Sequence, residues 1–137
     1  MKTKHYLTLT DAEVLLNHAH QYAIENQFNV SIAVIDETST LLAMKRMDGA
    51  APMTANLAIE KAKCSAMSRR PSKLFEDIIK GGQMGFLTMD SFSGMLEGGE
   101  PILYQGHLVG AMGVSGVKSF QDAEIAQMAI EKFLAQV

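Results

Sequence analysis

The chain has 137 residues, 47% hydrophobic and 20% charged, which is enough for one core of ordinary size and no second, so a single domain over 1–137 is expected. Its formal net charge of −3, with the Lys and Arg residues scattered, leaves no basic field for nucleic acid or an anionic membrane. A lone cysteine, Cys64, excludes an intrachain disulfide and fits a reducing compartment, and the first residues carry no apolar run, so the chain reads as cytoplasmic, with neither secretory signal nor membrane span.

In chain order, Thr10-Asp-Ala-Glu13 has the form of a capping box and predicts a helix over 11–26, with Ala12, Leu15, Leu16, Ala19, Tyr22 and Ala23 on its apolar face. The nearly continuous β-branched run 30–36, a polar turn over 37–40 and the run 41–47 predict an antiparallel hairpin with its first strand central in the sheet. Asp48-Gly-Ala-Ala-Pro52 breaks the sheet, and a helix follows until Arg69-Arg70-Pro71 stops it. One side of that helix is a stripe of small residues, Ala55, Ala58, Ile59, Ala62, Ser65 and Ala66, which lets its axis sit close to a neighbour. The other side carries Met53, Leu57, Cys64 and Met67, so a second layer or a subunit contact is expected there.

Ser72 is expected to cap a short helix ending at Gly81-Gly82, and residues 83–92 are partly loop. Residues 93–97 are expected to form a third strand. The nineteen-residue run GGEPILYQGHLVGAMGVSG, over 98–116, follows with strands over 102–104 and 107–114 joined by the two-residue turn Gln105-Gly106. Glycines weaken a strand interior, so Gly110 and Gly113 require a close approach, and the small-residue helix is the complementary surface. Ser119-Phe-Gln-Asp122 reads as a weaker capping box opening a last helix whose core face is Ala126, Ala129, Ile130 and Phe133. Short turns between strands make the sheet antiparallel, and the pattern by itself supports a mixed α+β domain.

The glycine-rich run resembles the signature of the GlcG/HbpS family, also found as the C-terminal domain of PduO-type proteins. Asp36 closing a strand, Lys45-Arg46-Met47-Asp48-Gly49-Ala50 leaving the next, Lys61 on the second helix and Asp122 opening the last helix extend the resemblance over nearly the whole chain. It implies a profilin-like, GlcG-like fold, a five-stranded antiparallel sheet with helices packed on its faces, and haem as ligand.

His18 and His20 point about 200° apart on a helix, so they cannot grip one ion together. The resemblance favours His18 as an axial ligand of haem iron, because some relatives use a histidine on the first helix; one imidazole beside an apolar wall suits that role. Haem also needs cationic or polar partners for its propionates. Arg46 with Asp48, and Lys61, are the leading candidates, while Arg69 and Arg70 lie where cations already favour a helix end. Met84, Met89 and Met95 are expected to line a ligand cleft or partner surface, since thioethers tolerate irregular pockets.

Hydrolytic, Walker and dinucleotide patterns are missing: Ser115 stands in GVSG, not in a strand-to-helix nucleophile elbow. The leading reading is a small haem- or tetrapyrrole-binding accessory protein that supports haem degradation. A second is an enzyme acting on a small hydroxy or carboxylate metabolite of a glycolate or diol pathway, with Arg46 and Lys61 holding substrate and a histidine or Asp48 moving protons. A third is an oligomeric scaffold. In each the expected state is a homo-oligomer.

Overall fold

Helix α1 (Leu9–Glu25) begins at a cap two residues earlier than its sequence suggests, in a computed structural model that describes residues 1–137. The Thr8 hydroxyl accepts from the Asp11 amide, and the Asp11 carboxylate accepts from the Thr8 amide, so the capping box is Thr8 to Asp11 rather than Thr10 to Glu13. Burial decides between them. Leu7, just before this cap, is buried with Ala12 in the main core and forms the hydrophobic staple, whereas the other register would put exposed Leu9 in that place.

Strands β1 (Ser31–Asp36), β2 (Leu41–Arg46), β3 (Gly99–Tyr104) and β4 (His107–Ser115) pair antiparallel in the order β2-β1-β4-β3. β1 is central and almost wholly buried, as its apolar run requires. At the β3–β4 hairpin, Tyr104 pairs with His107 across Gln105 and Gly106, whose φ values of 50° and 78° match the two positive angles of a type I′ turn.

The sheet has four strands, not five, because the expected strand over 93–97 is irregular. Its backbone groups find side chains instead of a neighbouring strand: the Leu96 carbonyl accepts from the Ser72 hydroxyl, and the Glu97 amide donates to Glu76 Oε1 at 3.2 Å. Ser72 is drawn into this bracing, accepting from the Gly99 amide at 2.8 Å, and makes no side-chain cap for helix α3 (Lys73–Lys80). A 3-10 turn, Met84–Thr88, lies within the segment 83–92.

Alternation along the strands sorts two layers. Ile32, Val34, Met112 and Val114 pack against α1 and α4 (Ser119–Leu134), while Ile35 and Ala111 pack against α2 (Met53–Ser68) on the opposite face. The small-residue stripe of α2 does meet the glycine strand: a Cβ on Gly113 would overlap the Ala58 carbonyl oxygen and stand 2.7 Å from the Ala62 nitrogen. Gly110 belongs to the other face, against Leu7. Cys64, expected on the outer side of α2, is fully buried, and Met53 and Met67 are the exposed members of that line. The α4 start also differs from its reading, because Gln121 accepts from the Lys118 amide at 3.2 Å while Asp122 turns inward.

Candidate functional site

Lys61 sits on α2 with Ala58, Ala62 and Ser65, so its aliphatic stem is buried and its ammonium needs protein partners. It donates to Asp122 Oδ2 and to the Val114 carbonyl, both at 3.1 Å. Both side chains of this ion pair are 3% exposed. Asp122 also accepts from the Val117 amide at 3.1 Å, tying the β4–α4 connection to α2. Burial pushes the Asp122 carboxyl above its ordinary value, opposed by the Lys61 ammonium and by the Val117 and Gly116 amides. A lysine held this way has no charge free for a ligand carboxylate.

The two α1 histidines diverge as their helical spacing requires. His18 is half-buried, with Nε2 3.4 Å from Gln136 Oε1, and the partly buried Val14 and Tyr22 stand one turn before and after it. His20 faces β2, where its Nδ1 lies 3.4 Å from the Lys45 ammonium, itself donating to Asn17 Oδ1 at 2.8 Å. With Lys45 turned toward α1, strand alternation turns Arg46 the other way. Arg46 and Asp48 are exposed and form no ion pair; the four ion pairs are Lys4 with Glu37, Lys61 with Asp122, Lys73 with Asp77 and Lys80 with Glu76.

The structure therefore does not bring His18, Arg46, Asp48 and Lys61 together. His18 and Lys61 lie on helices covering opposite faces of the sheet, and none of the four lines any of the principal cavities. The largest of these, about 460 Å³, is walled by two histidines that the sequence reading passed over, His5 and His107, with Arg69 and Lys4 beside them. Met95 lines a cavity of about 380 Å³ and Met89 one of about 270 Å³, while Met84 is 56% exposed. A smaller apolar cavity of about 190 Å³ lies among Tyr6, Leu7, Tyr104, Val109 and Phe133.

A family model described as haem degrading protein HbpS-like matches residues 7–131. The chain belongs to the HbpS-like family. It is 40% identical over 115 residues to Protein GlcG of Escherichia coli strain K12, covering 84% of this chain and 85% of that one. Among solved structures, protein ORFY of Klebsiella pneumoniae superposes with a TM-score of 0.92 at 25% identity, covering 98% of this chain and 95% of that one. The PduOC:Heme complex superposes with a TM-score of 0.82 at 26% identity, covering 93% of this chain and 94% of that one.

Tested against haem, the HbpS-like chain fits at one point and not at another. The His18 imidazole, with one long polar contact and apolar side chains a turn away on either side, has the chemistry of an axial ligand. The propionate cations do not fit, because Lys61 is consumed by Asp122 and Arg46 faces away from α1. No helix is long and apolar enough to cross a membrane.

Proposed function

We propose that this HbpS-like protein is a small cytoplasmic haem- or tetrapyrrole-binding accessory protein in which His18 ligates the iron from the outer face of the α1–α4 layer. The likeness to the solved PduOC:Heme complex carries this reading, and the geometry around His18 supports it. On an open helix face the porphyrin is covered on one side only, and a second copy of the chain in a homo-oligomer supplies the other wall. Haem would contribute the iron redox chemistry when bound; the chain would contribute His18 and the apolar cover of Val14 and Tyr22 on the same helix face.

The test is a hemin titration of the full chain, followed by absorbance. A saturable spectral change is expected, lost or shifted in His18→Ala and retained in His20→Ala, since His20 is engaged by Lys45. An unchanged spectrum in His18→Ala removes that residue as ligand; no saturable change in the wild type removes the haem reading. In the metabolite-enzyme reading Lys61 no longer serves as a substrate cation, because its ammonium is held by Asp122.

A further inference from the structure

The cleft of about 460 Å³ where the N-terminal arm meets the β3–β4 turn and the C-terminal end of α2 takes no part in the haem reading. Its volume lies within the range of roughly 300–1,000 Å³ usual for small-molecule sites. Leu108 is the only hydrophobic residue among its eight lining residues, so its walls suit a polar ligand and not a macrocycle. The Lys4 ammonium and the Glu37 carboxylate, 3.1 Å apart, offset each other. Arg69 is left in charge surplus: its guanidinium forms no ion pair and makes no hydrogen bond, not even to the free carbonyls of the α2 end it caps with φ 60°. Arg69 is exposed at the cleft, so its guanidinium is free to offer the paired N–H groups that a carboxylate accepts.

Two imidazoles complete the wall. His5 is fixed edge-on against Tyr104, with ring centroids 5.0 Å apart and an interplanar angle of 88°, and His107 opens β4 opposite the same tyrosine in the ladder. Gln105, held at φ 50° in the turn between them, adds an amide. Donors from the arm, the hairpin tip and the helix end thus converge on one concavity, although these segments are distant in sequence.

We propose that this cleft binds a small organic carboxylate, with Arg69 gripping a carboxylate through parallel N–H groups and His5, His107 and Gln105 bonding its remaining oxygens. With Lys4 and Glu37 offsetting each other, Arg69 supplies the net positive charge that the ligand's carboxylate meets. This site is independent of His18, and a hemin titration of the same variants reads the two separately.

The experiment is isothermal titration calorimetry of the full chain, in a buffer free of carboxylate and phosphate, with malonate and inorganic phosphate as probes. Malonate is expected to bind saturably at one site and more tightly than phosphate. Arg69→Gln weakens it about tenfold or more, the scale of losing charge-assisted hydrogen bonds. His107→Ala weakens it as well. Arg70→Gln, which removes the same charge from the adjacent residue but does not line the cleft, leaves it unchanged. No saturable heat with either probe overturns the proposal, as does equal weakening by Arg69→Gln and Arg70→Gln, which would make the effect one of net charge. Phosphate binding without malonate binding overturns the carboxylate assignment.

Discussion

Replacing Lys61 by methionine decides whether this lysine holds the fold or a ligand. The substitution keeps the length of the stem and removes the ammonium, leaving the Asp122 carboxylate buried at 3% exposure with the Val117 amide as its remaining strong donor. Breaking a buried pair by deleting one partner costs about 3–5 kcal/mol, and the Val114 carbonyl loses its lysine donor for roughly 1 kcal/mol more. Against a total stability of about 5–15 kcal/mol for a domain of this kind, Lys61→Met should remove a large share of it. Asp122→Asn keeps an acceptor for the Val117 amide, so it isolates the charge. The double variant leaves no buried charge unpaired and should be more stable than the two single costs added together imply, with a coupling of about 2 kcal/mol or more. Urea denaturation followed by circular dichroism measures all four corners, and the slope with denaturant should stay constant. If Lys61→Met costs under about 1 kcal/mol and couples to Asp122→Asn by less than about 0.5 kcal/mol, the pair is not structural and the reasoning fails.

Three other outcomes are expected. Gly113→Ala drives a Cβ into the α2 backbone at Ala58, so it should cost about 3 kcal/mol by denaturation, the upper end for overpacking; a loss under about 1 kcal/mol would mean that α2 does not lie this close. Burial holds the Glu100 carboxyl above its ordinary value, with Glu97 adding to the effect and the Gln127 hydrogen bond opposing it. A raised acid contributes stability that is present at low pH and lost as pH rises through its folded value, so Glu100→Gln should stabilise the protein at neutral pH and make no difference in acid; a constant difference across pH is the contrary result. Burial pushes the Cys64 thiol up to about 12, and the side chain is inaccessible, so iodoacetamide should modify it only after unfolding; rapid labelling of the native protein at mildly alkaline pH would contradict the structure.

Elements whose cause is local were legible in the chain. The apolar run of β1, the Gln105-Gly106 turn and the apolar faces of α1 and α4 each follow from a periodicity or a turn chemistry within a few residues, and each stands where that signal puts it. Gly113 against Ala58 was legible through a complementarity, since small residues on a helix and a glycine in a strand each need the other. The fifth strand failed because the segment 93–97 obtains its hydrogen bonds from Ser72 and Glu76, more than twenty residues away, and no local propensity records that. The first capping box was displaced for a related reason: two overlapping motifs compete, and the tertiary burial of Leu7 chooses.

The same division runs through the candidate site, where the burial of Lys61 is written in the helix period but its partner is not. At about 100° per residue it falls some 60° from Ala58 and within about 100° of Ala62 and Ser65, inside the stripe read as the buried face. A charge set in a buried stripe requires a buried counter-charge. Asp122 was such a counter-charge, the only acid in the first turn of the last helix, but a separation of 61 positions hides the pairing from any window along the chain. His18 and Arg69 differ from Lys61 in just this respect. Neither has a protein partner that consumes its chemistry, one at the margin of an apolar layer and the other at the rim of a polar cleft, so both proposed sites rest on side chains that the packing left unpaired.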